Sequence, residues 1–117
     1  MSGKDGRLQL IQYLPSHRST VTSTCTAWLG TTRVMLSVGK DRQLVFWRLG
    51  TDRKYESLVV YPKAHGRVIW DCCAVLEHSR VVNGQEMAVF ATASRDCTVR
   101  VFGVTNEGQV TVCILID

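Results

Sequence analysis

Two stretches of this chain repeat one another: Ser37-Val-Gly-Lys-Asp41-Arg-Gln-Leu-Val-Phe-Trp47 and Thr92-Ala-Ser-Arg-Asp96-Cys-Thr-Val-Arg-Val-Phe102. Each has a hydroxyl residue, an Asp four places later, and an aromatic six places after that Asp. Between Asp and aromatic runs a period-two alternation, Leu44 and Phe46 in the first copy, Val99 and Val101 against Thr98 and Arg100 in the second. Successive side chains point to opposite faces of a strand, so this alternation predicts strands with one buried face. A histidine precedes each Asp, His17 in the first copy and His65 in the second.

The same pattern, punctuated by turn residues, predicts short strands throughout and no convincing helix. They are Leu8–Leu14, Val21–Trp28, Arg33–Val38, Leu44–Leu49, Ser57–Tyr61, Val68–Leu76, Met87–Ala93, Thr98–Val104 and Val110–Ile116. Pro15 and Pro62 each follow an apolar strand and precede a histidine; proline cannot donate to a ladder and so marks a strand end in each copy. Two full repeats fit, about residues 8–49 and 57–103, with 109–117 beginning a further outer strand. The second copy is longer between His and Asp, and the extra residues fall in Glu77–Glu86, a polar stretch suited to a hairpin tip. Gly3-Lys-Asp5 echoes Gly39-Lys-Asp41, but Asp5 lies too close to His17 to leave room for two strands, and the echo reads as chance or a clipped turn. The expectation is two four-stranded antiparallel units sharing a hydrophobic interface of Val21, Leu36, Phe46, Ile69, Val89 and Val101.

No apolar run approaches the roughly 18 residues of a membrane span, and Met1-Ser-Gly-Lys-Asp-Gly-Arg7 lacks the apolar core of a signal peptide. The five cysteines, Cys25, Cys72, Cys73, Cys97 and Cys113, are odd in number, sit within apparent strands and form no CxxC pair. Zinc-ribbon and thioredoxin-like chemistry are thereby excluded, and buried reduced thiols in an intracellular protein are expected, the competing reading being a disulfide framework. An Asp–His pair beside a hydroxyl suggests a hydrolytic triad, but one active site has no need of two copies. Cys72 and Cys73 point to opposite strand faces, so at most one could meet His65. No catalytic, cofactor-binding or metal-binding residue is assigned. His78 lies in a polar loop and is read as solvated.

A hydroxyl, a carboxylate, an imidazole and an indole recurring in this arrangement resemble the WD-repeat (WD40) β-propeller family. A blade takes roughly 40–45 residues and closed rings typically have four to eight blades. The 117 residues therefore hold two to three blades, an incomplete all-β propeller whose remaining blades are missing from this chain. The resemblance implies a hydrogen-bonded relay in each blade: His17, Ser37, Asp41 and Trp47 in the first, His65, Thr92 and Asp96 in the second, where Phe102 has no N–H to give. It also places the His loop and the Asp turn on one rim, which gathers Arg18, Lys40, Arg42, Lys63, Arg67 and Arg95 while Asp41 and Asp96 turn into the relays. Such a rim attracts an acidic protein surface or a phosphate backbone; the competing reading is solvated charge.

Ala64-His-Gly-Arg67-Val-Ile-Trp70-Asp-Cys72, Val89-Phe-Ala-Thr-Ala-Ser-Arg95-Asp96-Cys-Thr-Val and Leu36-Ser-Val-Gly-Lys40-Asp41-Arg42 go beyond a generic repeat and resemble the family of Elongator complex protein 2. That resemblance implies a segment of the second ring of a double propeller. It also implies a non-catalytic scaffold, cytoplasmic and nuclear, in the complex that modifies the wobble uridine of tRNA and is linked to transcription elongation. Its partners would be other Elongator subunits, with at most indirect or weak contact to tRNA. The rival readings are a WD40 interaction module of another assembly and a basic RNA-contacting module.

Overall fold

A computed structural model describes residues 9, 10 and 12–116. Alternating apolar segments joined by short turns give two antiparallel meanders. The first holds β1 (Val21–Leu29), β2 (Thr32–Gly39), β3 (Leu44–Leu49) and β4 (Tyr55–Tyr61), in sequence order. The second is built from β5 (Ile69–Ala74), β6 (Arg80–Val82), β7 (Gln85–Ser94), β8 (Val99–Val104) and β9 (Val110–Ile116), ordered β5-β7-β8-β9 with β6 paired to β7. The all-β class expected from the sequence is thus found, as two sheets of four and five strands consistent with partial WD40 blades in an unclosed ring.

Both Asp turns have one geometry. The N–H of Arg42 donates to Gly39 at 3.3 Å and that of Cys97 to Ser94 at 3.2 Å, leaving Arg42 (φ 66) and Cys97 (φ 70) in the left-handed region. A type I turn closed by a left-handed residue is a usual three-residue hairpin connection. Strand pairing then superposes the two copies: Ser37 lies opposite Val45 as Thr92 lies opposite Arg100, and Leu36 opposite Phe46 as Ala91 lies opposite Val101.

The core lies between the sheets. Val34, Leu36, Val38, Leu44 and Phe46 of the first pack on Ile69, Ala88, Phe90, Phe102 and Val104 of the second, with the Phe46 and Phe90 rings 5.8 Å apart. Leu36, Phe46 and Ile69 are fully buried there, as expected, but Val21, Val89 and Val101 are not. One cause accounts for all three. Val89 and Val101 stand in β7 and β8 where Val34 and Phe46 stand in β2 and β3, on the face turned away from the first sheet. Val21 stands where Ile69 does, on the face of β1 turned away from the second. Each position has the right parity for an interface, but only one of the two copies has a neighbour to cover it.

Two further expectations are corrected, and the hairpin tip is made more specific. Residues 9, 10 and 12–14 form no strand, and Leu8 and Ile11 lie outside the described residues, as does the Gly3-Lys-Asp5 echo. Among the described residues the segment joins no ladder; instead the Gln12 amide brackets the backbone of Tyr55, donating to its carbonyl at 2.6 Å and accepting its N–H at 2.8 Å. The 77–86 insertion is more ordered than a polar tip: β6 and β7 form a hairpin around Asn83-Gly84, both left-handed (φ 50 and 79) as a type I′ turn requires. Of the cysteines, only Cys72 is buried; Cys25 is half-buried, Cys73, Cys97 and Cys113 are exposed, and Cys97 sits in a turn.

Leu36→Ala is expected to cost about 2–5 kcal/mol in chemical denaturation, because the site is fully packed. Ile114 and Ile116, 52% and 54% exposed, extend the uncovered apolar face onto the edge strand β9. Ile114→Lys with Ile116→Lys is expected to suppress self-association in sedimentation while changing stability by less than about 1 kcal/mol. Unchanged self-association would show that this face is not the adhesive one.

Candidate functional site: two histidine relays and a basic rim

The loop before β1 and the β2–β3 turn meet at one end of the first sheet, where the N–H of Lys40 donates to Thr20 at 2.9 Å. His17 is thereby laid over β2 and β3. The Trp47 indole N–H donates to Ser37 Oγ at 2.9 Å, Ser37 Oγ meets His17 Nε2 at 2.7 Å, and His17 Nδ1 meets Asp41 at 2.9 Å. The side chains of His17 and Asp41 are only 5% and 6% exposed. The carboxylate also accepts the N–H of Arg18 at 3.0 Å. The four relay residues expected in the first copy are therefore brought into one chain of hydrogen bonds.

The second relay lies between the sheets. His65 Nε2 meets Thr92 Oγ1 at 2.6 Å and His65 Nδ1 meets Asp96 at 3.0 Å. No indole completes it: Phe102 places its ring edge-on to His65 at 6.4 Å and to Tyr61 at 5.7 Å. Burial lowers the His65 pKa, outweighing the opposite pull of Asp96, so the folded ring stays neutral. Burial by itself disfavours the Asp96 charge, but hydrogen bonds from Thr98, Gly66 and His65 prevail and hold its carboxyl well below the usual range. Ser37, Thr92 and His65 are all buried.

The sequence reading missed Thr98, Ser94 and Arg100. The Thr98 backbone N–H donates to Asp96 at 3.0 Å, and its hydroxyl also reaches His65 Nδ1 at 3.1 Å. Ser94 Oγ accepts the Asp96 N–H at 3.1 Å and donates to the Val68 carbonyl at 2.9 Å. The Asp-x-Thr spacing of Asp96 and Thr98 was the available signal, since Asp side chains commonly accept from the backbone two residues on. Arg100, on the His65 side of β8, donates to the Ala64 carbonyl at 2.7 Å and leaves its Nε buried without a partner.

Arg18, Lys40, Arg42, Lys63, Arg67 and Arg95 all lie in the loops before β1 and β5 or in the two Asp turns, hence at one end of both sheets, and all six are exposed. None makes an ion pair with another described residue. A cleft of about 600 Å³ lies at the opposite end around Gly30, Thr32, Gln85, Glu86 and Glu107, away from both relays. His78 is exposed, as read, in a short bridge to Trp28.

Trp47→Phe is expected to cost about 1–3 kcal/mol in urea or guanidinium unfolding, since it removes the donor to a buried hydroxyl. A negligible cost would remove the relay from the first sheet. Because the folded His65 pKa is lowered, its neutral form supports folding fully above about pH 6.5 and stability is lost as pH falls below that value. Asp96, also lowered, contributes above about pH 3.9 and is lost only in stronger acid. Unfolding midpoints are expected to be level above pH 7 and to decline from pH 6.5 toward 5, with the decline reduced in His65→Gln. A rise in stability over that acid interval would contradict the neutral ring.

No protein-family model matches the sequence. Elongator complex protein 2 of Saccharomyces cerevisiae is 36% identical over 97 residues, 81% of this chain and 11% of that protein. The chain spans about a tenth of the length of the relative it matches.

Proposed function

We propose that this chain is a non-catalytic WD-repeat scaffold segment that helps to assemble an Elongator-type complex, cytoplasmic and nuclear, acting on the wobble uridine of tRNA. The observation that carries the reading is the likeness to Elongator complex protein 2 across 81% of the chain, and two sheets with blade-like relays support it. The docking element is the basic rim. Its six cations are exposed, while Asp41 and Asp96 on the same rim are turned inward onto His17 and His65. The net charge of +4 is thus concentrated where an acidic subunit surface can meet it. A protein partner is favoured over RNA because base binding uses successive aromatic platforms. Among the described residues the exposed aromatics are Tyr13 and Trp70, which do not form a run.

The test compares Arg42→Glu with Arg67→Glu on the basic rim against Arg53→Glu with Lys54→Glu on the other. The readouts are capture of Elongator subunits and a tRNA titration at several salt concentrations. The basic-rim pair is expected to weaken subunit capture and flatten its salt dependence, and the other pair to do much less. Loss confined to the tRNA titration would favour an RNA-contacting module, and equal behaviour of the two rims in both assays would reduce the basic rim to solvated charge.

A further inference from the structure

We propose that Cys25 and Cys72 form a reversible redox pair whose disulfide clamps the two sheets together. Cys25 lies on the face of β1 turned toward the second sheet, Cys72 lies on β5, and their sulfurs are 3.3 Å apart although 47 positions separate them in sequence. The strands carrying them are held in place independently. Thr22 donates its hydroxyl to the Ile69 carbonyl, and Ser23 Oγ meets Asp71 Oδ1 at 2.8 Å. Both sulfurs are free thiols, Cys25 partly open to solvent and Cys72 sealed behind it. The pairing register makes this arrangement unique within the chain: Cys73 occupies in β5 the place of Cys25 in β1, but faces the uncovered side, and Thr24 occupies the place of Cys72. The other exposed thiols, Cys97 and Cys113, hydrogen-bond to the backbone carbonyls of Arg95 and Thr111.

The chemistry balances with a small-molecule disulfide as oxidant. The S–H of Cys25 donates to the Cys72 sulfur, and this hydrogen bond favours thiolate on Cys72 and, with burial, pushes the Cys25 thiol up. Once the pair has lost one proton to solvent, the remaining proton is shared across the hydrogen bond; Cys25, the sulfur open to solvent, attacks the oxidant as thiolate with that proton held on Cys72, and one thiolate of the oxidant leaves. Cys72 then attacks the Cys25 sulfur of the mixed disulfide, its proton leaving with the second thiol. Two cysteines are oxidised by two electrons and one oxidant disulfide is reduced to two thiol equivalents.

The full 117-residue chain is incubated with oxidised glutathione, alkylated in denaturant and mapped without reduction. A Cys25–Cys72 linked peptide is expected within the monomer band, with Cys73, Cys97 and Cys113 alkylated. The thermal midpoint should rise by about 5 °C or more, and dithiothreitol should reverse it. The triple variant Cys73→Ser, Cys97→Ser, Cys113→Ser should still form the link, while Cys25→Ser or Cys72→Ser alone should not. Glutathione on the exposed cysteines with Cys25 and Cys72 both recovered as free thiols would overturn the proposal. So would glutathione retained on Cys25 without closure, or a link that leaves the midpoint unmoved.

Discussion

A histidine sealed between two sheets is the constraint on which the rest of this structure depends. An imidazole removed from water is tolerated only when both ring nitrogens find partners. For His65 those partners are the Thr92 hydroxyl on β7 and the Asp96 carboxylate in the β7–β8 turn. Satisfying both brings the 62–68 loop, the second strand of the sheet and its turn to a single point. Ala64 and Ile69, flanking the histidine, enter the apolar core together with Phe90 and Phe102. The same geometry holds His17 against the first sheet, so the polar relays select one packing arrangement that apolar contacts alone would leave degenerate.

Each sheet consequently has two unlike faces. One receives a histidine from the segment before its first strand, and the other presents apolar side chains to the next sheet. In the first sheet the face turned away from the second is covered in part: Val45 and Trp47 are buried as thoroughly as Leu44 and Phe46, while Val21 on that face stays exposed. In the second the outward face stays open, and Val99, Ile114 and Ile116 meet solvent. The relays also shape the surface charge: by taking Asp41 and Asp96 inward, they leave the surrounding cations of that rim unopposed.

Much of this was legible in the residues. The alternation located the strands, and the matched spacing of hydroxyl, Asp and aromatic identified the relay residues. What escaped was whatever depended on neighbours. Val21, Val89 and Val101 have the parity of interface residues, and parity cannot say which copy is covered. The apolar Leu8–Leu14 segment reads as a strand, but a strand needs a ladder and here a glutamine side chain supplies the pairing instead. The polar hairpin tip at Glu77–Glu86 was legible, and the short strand β6 within it was not. The approach of Cys25 to Cys72 is a product of stacking, invisible in a spacing of 47 positions.

The central claim is most directly tested by the side-chain nitrogens of His65 in a 15N NMR spectrum of the labelled chain. The account predicts one neutral tautomer at pH 7, with the proton on Nδ1 facing Asp96 and Nε2 accepting from Thr92, and protonation of the ring only below the range of a free histidine. An Nε2-protonated ring, or a ring that titrates near pH 6.5 like a free histidine, would contradict it.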